Sequence, residues 1–359
     1  MKLALALALL PGVSAQQLDG ISNSTRRSLF RWDPKPLPPN WWEPLSRPGA
    51  APNCSCHKGV FRISGSYGRT NNMLIELTHA LAFSVTHTPP LMVDLRNMKD
   101  LAQSFDLRAA TQGWACVVID QRDLVPGCTN LYHQRESSAR NVYGAPENPV
   151  VGDSFRANVL KQVLLRPFEP LRKAVHTFEE QHGLTNGFTA VHLRALENAC
   201  VALLKRQLNT DYGDVRVPGY VQFLRDAQMD AADVCDMTDR YLDEILSRAK
   251  VKHLPMVVAH DRQKPSRLGQ ISRRYGAVSY TGAMGVFVDV LLLLRASYMI
   301  GNPASSMSGN VACVRSLLDL ETNFGDPMQW WARFTGHQAG EWNTEPTRAK
   351  LAGPGNKLW

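Results

Sequence analysis

GFTAVHLR, at residues 187–194, joins a strand-forming run to two nitrogen-bearing side chains. Its β-branched and aromatic residues are typical of a buried strand. His192 and Arg194 stand at the carboxyl end of that strand, which is where open α/β sheets bind their ligands. A guanidinium stays charged and can grip two phosphate oxygens, so Arg194 is a candidate diphosphate ligand. The alternative is that Arg194 only begins a surface loop and that His192 is a satisfied core histidine.

Strands alternate with helices on both sides of this stretch. Toward the N-terminus the pattern predicts strands at 60–63, 91–95 and 114–119 and helices at 72–85 and 171–182. Toward the C-terminus it predicts strands at 188–193, 256–259, 278–280 and 298–301 and helices at 238–250, 265–275, 286–295 and 306–317. Two such blocks predict an α/β protein of two Rossmann-like domains facing a central cleft. The expected segments are 1–15 (signal peptide), 16–52 (Pro/Trp-rich arm), 53–185 (N-terminal domain), 186–330 (C-terminal domain) and 331–359 (tail).

The composition is that of a globular protein, with 44% hydrophobic and 20% charged residues among 359. This excludes wholesale disorder. A net charge of +8 suits a phosphate-bearing or acidic ligand. Nucleic acid is disfavoured as a partner because the chain has no Lys/Arg-rich run and no basic patch interleaved with aromatic residues.

The N-terminus has the pattern of a secretory signal. Lys2 precedes the apolar run 3–10, and small residues at 13–15 follow as a cleavage site. No apolar run is long enough to span a membrane. Sequons at Asn23 and Asn53 agree with the secretory pathway, the second being hindered if Cys54 is oxidised. We therefore expect residence there, with the endoplasmic reticulum lumen favoured over the Golgi or secretion.

Seven cysteines in an oxidising compartment predict up to three disulfides and one remaining thiol. Two plausible pairs can be read from the chain: Cys116 with Cys128, and Cys200 with Cys235. Cys54 and Cys56 lie beside His57, but no further zinc ligand follows at a suitable spacing. Cys313 falls in a helix-like segment and is expected to be the thiol that packs as a small hydrophobe.

Two turns carry further candidate ligands. The segment 68–72 (GRTNN) lies between a strand and a helix, where free N–H groups can bind an anion or a sugar hydroxyl. Asn72 either caps that helix or contacts a ligand. The segment 300–308 (IGNPASSMS) ends a strand and opens a helix, and its three serines exceed what one helix cap needs. Asp289 either caps an apolar helix or faces the cleft as an acceptor for a base N–H or a hydroxyl.

Other chemistries are less well supported. His260 and Asp261 also follow a strand, with a weaker case for ligand contact. No Asp-x-Asp motif is present, so a metal that bridges phosphates is not indicated and none is expected. A serine-hydrolase nucleophile needs glycines two residues to either side, whereas Ser308 has Ser306 and Asn310 there.

Taken in order, these motifs resemble the protein O-fucosyltransferase family, in particular the branch that modifies EGF-like repeats. The resemblance runs from about residue 54 to residue 325. The matching motifs are the Cys-x-Cys at 54–56, the Gly-Arg turn at 68–72, His-Leu-Arg at 192–194, Asn-Ala-Cys at 198–200, Val-Asp at 288–289, Ile-Gly-Asn at 300–302 and the serines that follow.

This resemblance implies a GT-B fold and inverting transfer of fucose from GDP-β-L-fucose to a Ser or Thr hydroxyl, with no metal cofactor. It implies that Arg194 holds the β-phosphate and the scissile oxygen, and that Asn72 faces the fucose and the acceptor. The remaining donor-binding positions would be Gly68, Arg69, Asn71, His192, Asp289, Ser305, Ser306 and Ser308. The implied disulfides are Cys54–Cys56, Cys116–Cys128 and Cys200–Cys235.

The chain departs from the family pattern at several positions. Thr70 and Asn71 replace Phe-Gly, Met73 replaces a polar residue, Pro303 replaces a cysteine and Met307 an aromatic residue. No glutamate near the first turn offers a general base, which leaves deprotonation to water or to the acceptor. The chain ends without an ER-retention tetrapeptide. The alternatives are a same-fold transferase with another nucleotide sugar or a glycan acceptor, and a non-catalytic relative that binds nucleotide or a client protein.

Overall fold

The computed structural model of the chain describes residues 59–62, 70–85, 91–124, 131–133, 153–195, 199–208 and 219–323. The strands are β1 (Val60–Arg62), β2 (Met92–Asp94), β3 (Val117–Val118), β4 (Leu131–His133), β5 (Thr189–Leu193), β6 (Met256–His260) and β7 (Tyr298–Ile300). The helices are α1 (Thr70–Val85), α2 (Lys99–Ser104), α3 (Leu107–Thr111), α4 (Asp153–Leu164), α5 (Glu169–Gln181), α6 (Cys200–Leu208), α7 (Gly219–Asp226), α8 (Ala231–Cys235), α9 (Asp239–Arg248), α10 (Pro265–Tyr275), α11 (Gly285–Arg295) and α12 (Ser306–Ser316).

The first sheet is parallel throughout and has the strand order β3-β2-β1-β4. Val60 pairs with Met92 on one side and with Leu131 on the other. Parallel neighbours need a crossover, and α1 supplies the one between β1 and β2. The described residues of these short strands are almost all buried, and their sequences are apolar except for Arg62 and Asp94 at the ends of β1 and β2.

The second sheet is also parallel, with the order β6-β5-β7. Central strand β5 is buried along its whole length, and Leu193 at its end pairs with His260. Single parallel bridges extend the sheet at both edges, from Val257 to Val278 and from Met299 to Thr322. The α/β class with parallel sheets is therefore confirmed, and both sheets belong to one compact unit, Pro36–Trp359. The arrangement of two domains about a cleft remains a prediction, as do the limits 53–185 and 186–330.

Helix α11 lies at the centre of the second block. It contacts α5, α12, β5 and β6, so almost all of its side chains are buried, and its sequence is apolar around the whole circumference. The fully buried guanidinium of Arg315 donates hydrogen bonds to the carbonyls of Leu293, Leu294 and Ala296. These are carbonyls that the end of a helix leaves without intrahelical partners. Helix α12 also contacts α1 and α4, which connects the two blocks.

Most elements lie where the pattern predicts them, and α10 has the predicted bounds. The strand expected at 278–280 is a single bridge at Val278, and the strand expected at 114–119 is reduced to 117–118. The elements that were not predicted are the helices α2, α3, α4, α6, α7 and α8 and the strand β4. No helix in the described ranges is long and apolar enough to cross a membrane.

The disulfide Cys200–Cys235 is present, as the family resemblance implies. Cys116 is disulfide-bonded as well, and its expected partner Cys128 lies outside the described residues. Cys313 is a buried thiol within α12, as predicted. The expected pair of Cys54 with Cys56 also falls outside the described residues and remains a prediction.

Candidate functional site

A pocket of about 360 Å³ lies at the carboxyl ends of β5 and β6. Because Leu193 and His260 are register partners, the residues that follow them, Arg194 and Asp261, emerge side by side from the sheet. The N-terminal turn of α11 forms another wall. The lining residues are His192, Arg194, His260, Asp261, Arg262, Tyr280, Gly282, Gly285, Val286, Asp289 and Met307.

Arg194 enters the pocket beside a carboxylate. Its Nε atom lies 3.8 Å from Oδ2 of Asp261, and both side chains are largely buried. Two backbone N–H groups hold that carboxylate in place: Ala195 donates to Oδ2 at 3.3 Å and Gln263 donates to Oδ1 at 3.1 Å. The guanidinium is thus a permanent cation that lies beside a fixed counter-ion.

His192 is buried between the pocket and the serine-rich turn. Its Nδ1 lies 2.6 Å from Oγ of Ser308, which also accepts a hydrogen bond from the backbone N–H of Asn302. Burial, together with the nearby cation of Arg194 and with His260, lowers the pKa of His192 to about 3. The imidazole is therefore neutral at physiological pH; it is buried and hydrogen-bonded, as a core histidine would be, and it also lines the pocket.

Asp289 lies inside α11, one turn after its start, so it does not cap the helix. The N-cap position is Met284, in a left-handed conformation. The side chain of Asp289 is 7% exposed, and its Oδ1 has no hydrogen-bond partner. Burial raises the pKa of Asp289 to about 8, although a backbone hydrogen bond from His260 and the charge of Arg262 act in the opposite direction. A buried carboxyl with an open oxygen is suited to accept an N–H or O–H group from a ligand.

The three serines of the second turn occupy different environments. Ser305 is the N-cap residue of α12, yet its buried Oγ caps no N–H group and has no partner. Ser306 is the first helical residue and is partly exposed. Ser308 is fully buried beneath His192 and is absent from the pocket wall, whereas its neighbour Met307 forms part of that wall.

The first turn can be located only in part. Asn71 and Asn72 belong to the opening turn of α1, and their side chains are not described. Gly68, Arg69 and both predicted glycosylation sites, Asn23 and Asn53, lie outside the described residues. Their expected roles remain predictions.

Sequence reasoning missed Arg262, Tyr280 and the glycines beside it. Arg262 lies two residues beyond the end of β6, which parallels the position of Arg194 just beyond β5, and this spacing was an available signal. Arg262 adopts a left-handed conformation. The Tyr280 hydroxyl donates to the carbonyl of Ala283, and a Cβ atom at Gly282 would meet the Tyr280 hydroxyl oxygen at 2.3 Å. Only glycine at 282 therefore lets the ring fold back over its own loop.

These groups together offer two guanidinium cations, a neutral imidazole, a helix N-terminus and an open carboxyl oxygen. The cations and the helix N-terminus suit a phosphate, and the carboxyl suits a ring or sugar that presents a hydrogen-bond donor. Within the described ranges, no group of three His, Cys, Asp or Glu side chains is placed to hold a metal ion. The pocket therefore combines groups that suit a phosphate with one that suits a hydrogen-bond donor.

The sequence matches no protein-family model, and it matches no curated protein sequence. In fold, the chain is similar to fucosyltransferases. A structure of POFUT1, a protein O-fucosyltransferase, in complex with GDP-fucose is 14% identical, with a TM-score of 0.48, covering 75% of this chain and 99% of that one. The POFUT1 apo-form has 14% identity, a TM-score of 0.47 and coverages of 74% and 97%. The fucosyltransferase NodZ from Bradyrhizobium has 14% identity, a TM-score of 0.43 and coverages of 71% and 91%.

Proposed function

We propose that this protein is an inverting glycosyltransferase that moves fucose from GDP-β-L-fucose to a Ser or Thr hydroxyl of another protein. One observation carries the proposal. His192 and Arg194 come from one motif and Asp289 from another, almost a hundred residues later, and all three line one pocket at the carboxyl ends of parallel strands. The order and spacing of those motifs along the chain support the choice of GDP-fucose as the donor.

Each residue would act on a different part of the donor. Arg194 binds the β-phosphate and the scissile oxygen, and Asp289 accepts hydrogen bonds from the N–H groups of the base. The first turn of α12, whose Met307 lines the pocket, is expected to bind the diphosphate together with the Ser305 hydroxyl, which lies behind the pocket wall. The acceptor oxygen attacks C1 of fucose while the C1–O bond to the β-phosphate breaks. GDP leaves with the electron pair, which Arg194 stabilises, and the hydroxyl proton passes to water.

The acceptor we propose is a folded EGF-like domain in the secretory pathway, with the endoplasmic reticulum lumen as the site of reaction. Three features of the chain support this compartment: the signal-like segment 1–15, the sequons at Asn23 and Asn53, and the disulfide Cys200–Cys235. The departures at Thr70 and Pro303 make the acceptor the part of the proposal that most needs a direct test.

The test incubates the full chain with labelled GDP-fucose and a folded EGF-like domain, followed by mass spectrometry of the product. We expect a mass gain of one deoxyhexose on a Ser or Thr, and no gain with Arg194→Ala. Undiminished transfer by that variant would refute the mechanism. A thermal-shift screen of nucleotides tests the donor separately, because stabilisation by another nucleoside diphosphate but not by GDP would refute GDP-fucose.

A further inference from the structure

His192 is held from behind by two residues that do not line the pocket. Ser308 contacts its Nδ1 atom, and Asn302 contacts Ser308. Ser308 and Asn302 are both fully buried. Their hydrogen bonds determine which ring nitrogen of His192 carries the proton, and hence what the ring can offer to a ligand.

We propose that Ser308 and Asn302 are positioning residues that hold His192 as the tautomer protonated on Nε2, so that the ring presents an N–H donor to the ligand. The ligand's identity as a nucleoside diphosphate rests on the proposed function. The tautomer itself does not, because it follows from contacts within the protein.

The assignment follows from counting protons on Ser308. The backbone N–H of Asn302 can only donate, so Oγ of Ser308 is the acceptor in that 2.9 Å hydrogen bond. The hydroxyl has a single proton of its own, and Nδ1 of His192 is the acceptor that lies within reach, at 2.6 Å. Oγ has a second lone pair and could also accept from an Nδ1–H, but the buried proton of Ser308 would then face no acceptor among these contacts. The arrangement that satisfies both groups leaves Nδ1 unprotonated and places the ring proton on Nε2.

The surroundings of the ring agree with this assignment. Burial lowers the pKa of His192 to about 3, so the ring holds one proton and not two. His192 lines the pocket, and since Nδ1 is engaged by Ser308, Nε2 is the nitrogen left to face a ligand. A neutral ring with Nε2–H donates to a phosphate or ribose oxygen and cannot serve as a general base through that atom.

Asn302 is linked both to His192, in β5, and to Arg194, which follows β5. Besides its N–H bond to Ser308, its Nδ2 donates to the backbone carbonyl of Arg194 at 3.2 Å. Its Oδ1 accepts from the N–H of Ala304 at 3.0 Å. Asn302 therefore contacts the backbone of Arg194 through its side-chain amide and contacts Ser308, the partner of His192, through its backbone N–H.

The test begins with the tautomer in the free protein. The full chain is labelled with ¹⁵N-histidine, and long-range ¹H–¹⁵N correlations distinguish the protonated ring nitrogen of each histidine, with His192→Gln used for assignment. We expect an unprotonated Nδ1 and a protonated Nε2. The opposite pattern in the wild-type protein would overturn the inference, whatever the enzyme's substrate.

The second arm measures GDP binding by calorimetry in Ser308→Ala and Ser308→Thr. Loss of the hydroxyl should mix the two tautomers and weaken GDP binding about tenfold, and the threonine hydroxyl should restore both. Ser104→Ala is the matched control, since Ser104 is a buried serine in α2 whose hydroxyl donates to the carbonyl of Asp100.

The outcomes separate the two proposals. An unchanged tautomer in Ser308→Ala would remove Ser308 from its positioning role. Failure of the wild-type protein to bind GDP would refute the proposed function, and the spectrum of the free protein would still decide the tautomer. If Ser308→Ala does not fold, the wild-type spectrum alone decides between the two assignments.

Discussion

Both parallel sheets have buried carboxyl groups near the carboxyl ends of their strands. The two sheets differ in whether arginine side chains neutralise these groups. At the end of β2, buried Asp94 receives hydrogen bonds from Arg62 at 3.0 Å and from Arg96 at 2.8 and 2.9 Å. At the edge of the second sheet, Asp289 is also buried, and its Oδ1 has no hydrogen-bond partner. Burial alone would raise the pKa of Asp94, but the bonds from Arg96 and Arg62 lower it, whereas burial raises that of Asp289 to about 8.

The difference indicates which edge is built for a ligand. A buried carboxylate that two guanidinium groups already neutralise contributes to the fold and has little left to offer a substrate. A buried carboxyl without such partners costs stability when it ionises, and a site retains one when a ligand supplies the missing donors. A position at the carboxyl ends of strands therefore does not identify the site by itself. The site is distinguished by a buried carboxyl to which no arginine among the described residues donates a hydrogen bond.

Removing one arginine from each edge should give the largest difference in transfer activity. Arg194→Ala should lower kcat/KM for fucose transfer about a thousandfold, because the departing GDP loses its cation, with little change in melting temperature. Arg96→Ala is the matched control, an arginine of the other edge that also pairs with a carboxylate. It should keep transfer within a few fold of the wild-type value. Equal losses of transfer in both variants would erase the distinction between the edges.

Replacing the aspartate at each edge with asparagine should change the free energy of unfolding by different amounts. Asp94→Asn removes the acceptor of two arginines and should lower the free energy of unfolding by about 2 kcal/mol, the partly exposed guanidinium groups recovering some hydration. Asp289→Asn removes a carboxyl that burial already disfavours, so it should cost nothing at pH 7. Urea denaturation of both variants measures the two values, and a larger loss in Asp289→Asn would contradict the comparison.

Sequence alone identified the second edge better than the first. The β-branched run of β5 and the polar residues after it predict both the strand and the location of Arg194. Helix α4 escaped prediction because it contacts α1, α3 and α12, so its buried residues, such as Ala157 and Val163, are not confined to one stripe. A single apolar stripe is the signal on which helix prediction depends.

The roles of single site residues depended on contacts that no local pattern contains. Whether Asp289 caps a helix is decided by where α11 begins, and the left-handed Met284 starts it a turn earlier than the carboxylate. The contact of Ser308 with His192 joins residues 116 positions apart. The sequence predicted that the serines cluster at the site, but it could not separate Ser305, which has no partner, from Ser308, which supports the imidazole.

The pH dependence of GDP binding should provide a further test of the difference between Asp94 and Asp289. The base of GDP needs an ionised Asp289, whose pKa of about 8 in the free protein lies far above its ordinary value of 3.8. Binding below pH 8 therefore expels a proton, and affinity should rise by close to tenfold from pH 6 to 7, by about fivefold from pH 7 to 8, and level off above. Asp289 ionises near pH 4 in the unfolded chain but only near pH 8 in the folded protein without ligand. The ligand-free protein should therefore lose stability as the pH rises from about 4 to 8. Calorimetry in buffers of different ionisation enthalpy should detect the released proton, and Asp289→Asn should abolish the part of the pH dependence that this carboxyl causes.

The smallest effect should come from two buried serines, one in each block. Ser84 donates to the carbonyl of Leu91 at 2.5 Å, so Ser84→Ala should lower stability by about 1 kcal/mol and leave GDP affinity unchanged. Ser305 has a buried hydroxyl without a partner at the N-terminus of α12, so Ser305→Ala should leave stability unchanged or slightly raised. Its GDP affinity should nevertheless fall about threefold to tenfold, because a phosphate oxygen loses its donor. Thermal denaturation with and without GDP measures both the stability and the GDP affinity of each variant. If Ser305→Ala lowered stability and left GDP affinity unchanged, the Ser305 hydroxyl would stabilise the fold, as that of Ser84 does, and would not bind the ligand.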